Sequence, residues 1–229
     1  MTVPVVMSWS GGKDSALALK ALLGNDGYEV VALLTTLTRE YDRIAMHGVR
    51  QELLQLQAES VGLPLVEAWI STGAGNDEYE AVMAEQLAKF CDHDVLTVAF
   101  GDLFLRDIRE YRERLIGRLN MTPIFPVWGQ DTSTLAKDFV DGGFRAITCC
   151  VDTTALPESF CGCELTHSFF DELPVAVDPC GENGEFHTFV FDGPIFSKPV
   201  PVRTGQSRRD GHFVFRDILA SDIPATDFS

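Results

Sequence analysis

Apolar residues run without interruption through Val3-Pro4-Val5-Val6-Met7, the pattern of a strand covered on both faces. From Asp14 the spacing changes to a helical one. Leu17, Leu19, Ala21, Leu22 and Leu23 make a broad stripe, and Gly24-Asn25-Asp26-Gly27 supplies the stop. The alternation then repeats. Tyr28 to Leu37 reads as a second strand, Val49 to Ser60 as a helix with Leu53, Leu54, Leu56 and Ala58 on one side, and Leu63 to Ile70 as a third strand. Glu78 to Phe90 is expected to be helical, Val95 to Phe100 a fourth strand, and Ile108 to Leu119 a charged amphipathic helix. Strands joined through helices run parallel with right-handed crossovers. The fold class expected is therefore α/β, an open and mostly parallel sheet with helices on both faces.

Beyond Asn120 the pattern loosens at Pro123, Pro126 and Trp128-Gly129-Gln130. We place a soft boundary near 125, with an α/β domain over 1–125 and a smaller α+β domain over 126–229. Thr132 to Val140 still reads as a helix, Ala146 to Val151 as a strand, and Phe213-Val214-Phe215 as a short apolar run before a polar tail that frays.

The chain has 229 residues, enough for a full hydrophobic core. It opens without a basic leader and contains no run of about 20 apolar residues, so a cytoplasmic protein with no membrane partner is expected. Its formal charge is −16, from 34 acidic and 18 basic side chains. Such a charge repels a phosphate backbone, which argues against nucleic acid as a partner. The six cysteines include Cys149-Cys150 and Cys161-Gly162-Cys163, followed by His167 and Cys180. That spacing lacks the two separated CxxC-like pairs of a structural zinc site. Buried thiols are the preferred reading, and a metal cluster is the alternative.

The chemistry concentrates in Ser10-Gly11-Gly12-Lys13-Asp14-Ser15, placed between the first strand and the first helix. Unpaired N–H groups and the positive end of a helix make an anion site there. Glycines at 11 and 12 let the backbone approach a phosphate, the hydroxyls of Ser10 and Ser15 add donors, and Lys13 adds charge. The loop is not a Walker A sequence, which requires GxxxxGK[ST]. A plain capped turn is the competing interpretation, but six contiguous residues at this position favour phosphate.

The second concentration is Gly181-Glu182-Asn183-Gly184-Glu185-Phe186-His187-Thr188. It reads as a tight loop feeding a strand over 186–191, with Glu185, His187 and Phe189 on one face and Phe186, Thr188 and Val190 on the other. Taken alone, a solvated hairpin explains it equally well.

The SGGKDS run resembles the hallmark of the PP-loop superfamily, which has a Rossmann-like α/β fold and splits ATP into AMP and pyrophosphate. With GENGEFHT at Gly181 to Thr188, Gly101-Asp102, and Trp128-Gly129 after Pro126, nearly the whole chain resembles the diphthine–ammonia ligase family. Asn183 and His187 depart from that family's GEGGEYET-like loop, and the form here resembles a bacterial branch. Bacterial elongation factors carry no diphthamide, so in such a source the acceptor would be another carboxylate, either a small molecule or borne on a protein.

The resemblance implies ATP and Mg²⁺ as cofactors and ammonia as nucleophile, in an adenylation resolved to an amide. Ser8, Ser10, Gly11, Gly12, Lys13, Asp14, Ser15 and Thr35 would bind the nucleotide. Lys13 would also offset charge on the departing pyrophosphate, and Asp14 would hold Mg²⁺. Glu182 and Glu185 would steer ammonium or magnesium, and His187 would take the proton lost by ammonia, with an ordinary pKa near 6.5 suited to that exchange. Weaker candidates are His47-Gly48-Val49-Arg50 at the sheet edge, one of Arg106, Arg109, Arg112 and Arg114 turned into the cleft, and Trp9, more readily a packing residue than a base platform. A tRNA-thiolating PP-loop enzyme and a non-catalytic adenine-nucleotide-binding protein are the alternative functions. A homodimer is compatible with the sequence.

Overall fold

The computed structural model describes residues 2–40, 43–44 and 48–221. His47 and the tail 222–229 lie outside the described residues.

The first half is a mostly parallel sheet built from β1 (Val3–Ser8), β2 (Tyr28–Thr38), β3 (Arg43–Ile44), β4 (Leu65–Ile70), β5 (Thr97–Ala99) and β6 (Thr122–Ile124). β1 pairs in parallel with β2 and β5, β2 with β4, and β5 with β6. β3 is the exception. It lies antiparallel to Leu37 and Thr38 at the end of β2, beyond the last β1 partner at Leu34. Arg43 and Ile44 are too few to leave a periodic signal, and the sequence pattern misses them.

Four helices cover the two faces: α1 (Lys13–Leu23), α2 (Gln51–Val61), α3 (Asn76–Cys91) and α4 (Arg106–Gly117). Alternation along the strands sorts them. Val5, Met7, Leu33 and Leu37 pack with Leu19 of α1 and Leu53 and Leu54 of α2. Val6, Leu34 and Val98 pack with Met83 and Leu87 of α3 and Ile116 of α4. Expected and observed bounds differ by a few residues at most elements. The strand expected over 95–100 keeps hydrogen-bonded pairing only from Thr97 to Ala99.

The chain moves outward from β1 through β2 to β4, then crosses back to β5 on the other side of β1. The reversal opens a crevice at the carboxyl ends of β1 and β5, the position where open α/β sheets bind ligands.

The second half contributes α5 (Thr132–Asp141), β7 (Arg145–Asp152), α6 (His167–Asp171), β8 (Phe186–Asp192), β9 (Val202–Asp210) and β10 (Phe213–Ala220). Its four strands form an antiparallel sheet in the order β8-β7-β10-β9. The run Phe213-Val214-Phe215 belongs to a full hairpin. β9 leaves no apolar period because six of its nine residues face solvent and all but Val202 and Gly205 carry polar side chains. The core is continuous between the halves: Leu19, Leu53, Phe139, Phe189 and Phe191 are all buried in one apolar cluster.

The six cysteines are all free thiols, and Cys149, Cys150, Cys161 and Cys180 are buried. Burial pushes Cys150 and Cys180 up to about 12 and Cys161 up to about 11. Among the described residues no group of three His, Cys, Asp or Glu side chains is arranged to hold a metal ion. His167 instead faces Asp141 at 3.0 Å. No described helix is long and apolar enough to cross a membrane.

Candidate active site

The crevice beyond β1 and β5 is an open cleft of about 610 Å³. Ser8, Ser10, Gly12, Lys13, Asp14, Ser15, Thr35, Glu182, His187 and Thr188 all line it. Gly11 lies just behind, within the loop. Its φ of +73° places it in the left-handed region, and a Cβ there would come 2.7 Å from Gln57 Oε1, so only glycine fits. Gly101 at the end of β5 serves by close approach. A Cβ on it would stand 2.9 Å from the backbone of Asp14 and Ser15.

The loop is held from inside and from across the molecule. The Ser10 hydroxyl donates to Ser15 Oγ at 3.1 Å, and Ser15 Oγ donates to the Gly12 carbonyl at 2.9 Å. The N-cap Gly12 has no side chain to cap α1. Thr188 of β8 supplies that function by accepting from the Lys13 N–H at 3.0 Å. Val190 N–H donates to the Gly11 carbonyl at 2.9 Å. Gln57, a polar residue buried within the apolar face of α2, donates to the Gly11 and Val190 carbonyls and accepts from Trp9 Nε1 at 2.9 Å. Trp9 is thus a packed residue with its ring nitrogen satisfied, 2 % exposed.

Lys13 does not reach into open solvent. Its ammonium is buried, 2.9 Å from both Asp14 carboxylate oxygens, hydrogen-bonded to the Cys180 carbonyl, and 5.4 Å from the centre of the Phe186 ring. Burial disfavours its charge, but Asp14, Cys180 and Glu182 outweigh burial and hold its pKa above the ordinary lysine value. Burial raises Asp14, with Lys13 opposing.

The loop from 178 to 188 is internally braced. Glu185, 7 % exposed, accepts from Asp178 N–H and from Asn183 Nδ2, both at 3.0 Å. Asn183, where the resembled family pattern has glycine, therefore clamps Glu185. Glu182 points to the first half and accepts from Leu103 N–H at 2.8 Å. Burial raises Glu182 to about 7, with Asp14 adding to the shift and the Leu103 N–H and Lys13 opposing it. His187 moves the other way. Burial, with Lys13 nearby, lowers it to about 4 against the opposing pull of Glu185. Burial thus moves Glu182 toward neutrality and His187 away from it. Imidazole chemistry at 6.5 does not survive the burial that the strand imposes.

The far wall carries Asp102, known from the sequence only as part of the Gly101-Asp102 resemblance, and Arg112, one of the four candidate arginines. Asp102 follows Gly101, and its buried Oδ2 lacks a hydrogen-bond partner. Burial raises its pKa, with Arg112 opposing. Arg112 is the one arginine of α4 that lines the cleft; it lies over Phe100 and donates to Tyr79 Oη at 2.7 Å. Arg109 instead pairs with Glu113 and packs on Phe125 and Trp128. A helical period can predict that one arginine turns inward but not which carboxylate waits for it. Arg50 is committed to Asp217 at 2.7 Å.

Magnesium is usually held by one or two carboxylates together with substrate phosphates. Asp14, with 30 % of its side chain exposed, and Asp102, whose Oδ2 has no hydrogen bond and lies 3.7 Å from Arg112 Nε, fit that limited donor set. Neither forms a protein cage.

A Rossmann-like sheet with a glycine loop at its topological switch point, completed by a second, antiparallel sheet, defines the class of this α/β protein. Residues 3–123 match the family described as Diphthamide synthase N-terminal domain, and residues 131–220 match the Diphthamide synthase C-terminal domain. The chain belongs to the diphthamide synthase family. It is 28 % identical over 217 residues to the diphthine–ammonia ligase of Danio rerio, covering 84 % of each chain. The Rattus norvegicus diphthine–ammonia ligase is 27 % identical over 86 % of this chain and 82 % of its own. That of Schizosaccharomyces pombe is 29 % identical over 83 % of this chain but only 34 % of its own length.

Proposed function

We propose that this protein is an ATP-dependent, AMP-forming ligase that adenylates a carboxylate and resolves the product with ammonia. The observation that carries this reading is the Ser10–Ser15 loop, seated at the switch point and stitched to Thr188 and Val190 of β8. In this reading the loop holds phosphate beside titratable groups from both halves, Asp14 and Glu182. The relatives named diphthine–ammonia ligase support the amide product.

In this reading residues 1–125 hold the nucleotide and residues 126–229 contribute to acceptor binding. The acceptor carboxylate oxygen attacks the α-phosphorus, and the bond to the β-phosphate oxygen breaks to release pyrophosphate. Ammonia then attacks the acyl carbon, the carbon–oxygen bond to AMP breaks, and one proton is lost. Backbone N–H groups at the start of α1 bind the phosphates, and Lys13 stabilises the leaving pyrophosphate. That requires the ammonium to exchange its Cys180 carbonyl contact for a phosphate oxygen, with Asp14 keeping it charged. Magnesium, held by Asp14 and Asp102, would neutralise phosphate charge. Glu182, raised to about 7, is matched to accept the ammonia proton near neutral pH. His187, lowered to about 4, stays a neutral hydrogen-bonding group. Glu185 positions the loop, because its Oε1 is occupied by Asp178 and Asn183. A thiolating enzyme needs a reactive sulfur, whereas burial raises both Cys161 and Cys163.

The test is product analysis with ATP, Mg²⁺, ammonium and a panel of carboxylic acids. AMP and pyrophosphate are expected in a carboxylate-dependent reaction. Formation of ADP and phosphate instead would overturn the proposal.

A further inference from the structure

A second cavity, of about 870 Å³, lies between the edge of the first sheet and the β9–β10 hairpin. Thr38, Arg43 and Ile44 form one wall, and Arg208, Phe215 and Arg216 contribute to the other. Ile44 also lines the ATP cleft, so the two spaces share a wall. Along β2, Thr36 lines the cleft and Thr38 lines the groove. Residues two apart share a face of a strand and are separated by roughly 6.6 Å, about the span of a small organic acid.

The charges in this groove are unevenly committed. A register shift in β10 between Arg216 and Ile218 sets Asp217 toward the first half, where it binds Arg43 at 2.8 Å and Arg50 at 2.7 Å. Asp217 is held below the usual carboxylate range by hydrogen bonds to Arg50 and Arg43, which outweigh its burial. Arg208 has no such carboxylate among the described residues. Its guanidinium lies 5.4 Å from the ring centre of Phe215, its cross-strand partner. Arg216, the next residue on β10, donates to the Gly205 and Cys161 carbonyls at 3.3 and 3.5 Å, and its buried Nε has no hydrogen-bond partner. Arg208 is exposed and lies beside the Phe215 ring, and a guanidinium has donors suited to a planar anion. A free guanidinium beside a cleft is selective in a chain of formal charge −16, which repels acidic macromolecules.

We propose that this groove binds the distal end of the acceptor, and that the acceptor is a small carboxylic acid carrying a second anionic group, which Arg208 recognises over Phe215. The reactive carboxylate lies in the cleft and the second anion lies beyond Ile44. This inference rests on the ligase reading, since it names the acceptor of that reaction. A cavity of this size between two structural units is typical of small-molecule sites.

The test uses three probes that differ only at the para position: benzoate, terephthalate and 4-carboxyphenyl phosphate. Each is titrated calorimetrically into the intact protein, alone and after saturation with a non-hydrolysable ATP analogue. The two dianions are expected to bind about ten-fold or more tightly than benzoate, the scale of one charge-assisted contact. Which dianion binds better distinguishes a carboxylate from a phosphate at the distal end. Arg208→Glu is expected to abolish that preference, Arg208→Lys to keep part of it, and neither to alter affinity for the analogue. Equal affinity for the three probes, a preference that survives Arg208→Glu, or no binding of any probe would overturn the proposal. Failure of the analogue to bind would instead count against the nucleotide reading, and the dianion preference of the unliganded protein would still be read.

Discussion

His187 displays how a strand position overrides an ordinary side-chain property. It stands on β8 between Phe186 and Thr188, and burial holds it near 4 rather than 6.5. A base whose folded pKa is depressed binds its proton more readily in the unfolded chain. Its contribution to stability is therefore fully present above about 6.5 and is lost as pH falls through the window from 6.5 to about 4. The shift corresponds to at most about 3 kcal/mol, less the screening at the cleft. Chemical denaturation of the wild type and His187→Gln at pH 7 and pH 4.5 checks this. The wild type is expected to lose more stability on acidification, and parallel losses would contradict the assignment. The residue types of the site were legible from SGGKDS and GENGEFHT. Their protonation was not, because burial depends on Lys13 and the opposing half of the molecule, which are distant in sequence.

Among the elements, α2 makes the clearest case. Its stripe of Leu53, Leu54 and Ala58 is interrupted by Gln57, which is fully buried. The side chain spends its donors and acceptor on the Gly11 and Val190 carbonyls and on Trp9. Replacing it with leucine leaves Trp9 Nε1 without its acceptor, while the Gly11 carbonyl keeps only the Val190 N–H, and a buried orphan costs about 1–3 kcal/mol. Gln57→Leu is expected to lower the melting temperature and to weaken ATP binding, because Gly11 shapes the phosphate loop. Unchanged ATP affinity in a folded Gln57→Leu protein would separate α2 from the loop. The helix itself was readable from its period. Its role was not, since a lone glutamine in an apolar stripe looks like noise until β8 is placed beside it. β9 and β3 were missed for opposite reasons: one is polar along nearly its whole length, and the other is two residues long.

At the scale of the molecule, the two sheets share an apolar core in which Leu19 and Leu53 meet Phe139 and Phe189. Two arginines of the first half are pinned by Asp217 of the second, and the phosphate loop is capped by Thr188. Such continuity predicts one cooperative thermal transition for the whole chain. Calorimetry with two well-separated transitions would contradict it. The sequence by itself determined the repeating β–α order, the Ser10–Ser15 loop and the second motif, because strand and helix periods and contiguous chemical runs are local properties. Tertiary structure decided which carboxylates are buried, which arginine faces the cleft, and what caps the loop. These depend on burial and on contacts between residues as far apart as Lys13 and Thr188, which no local pattern encodes.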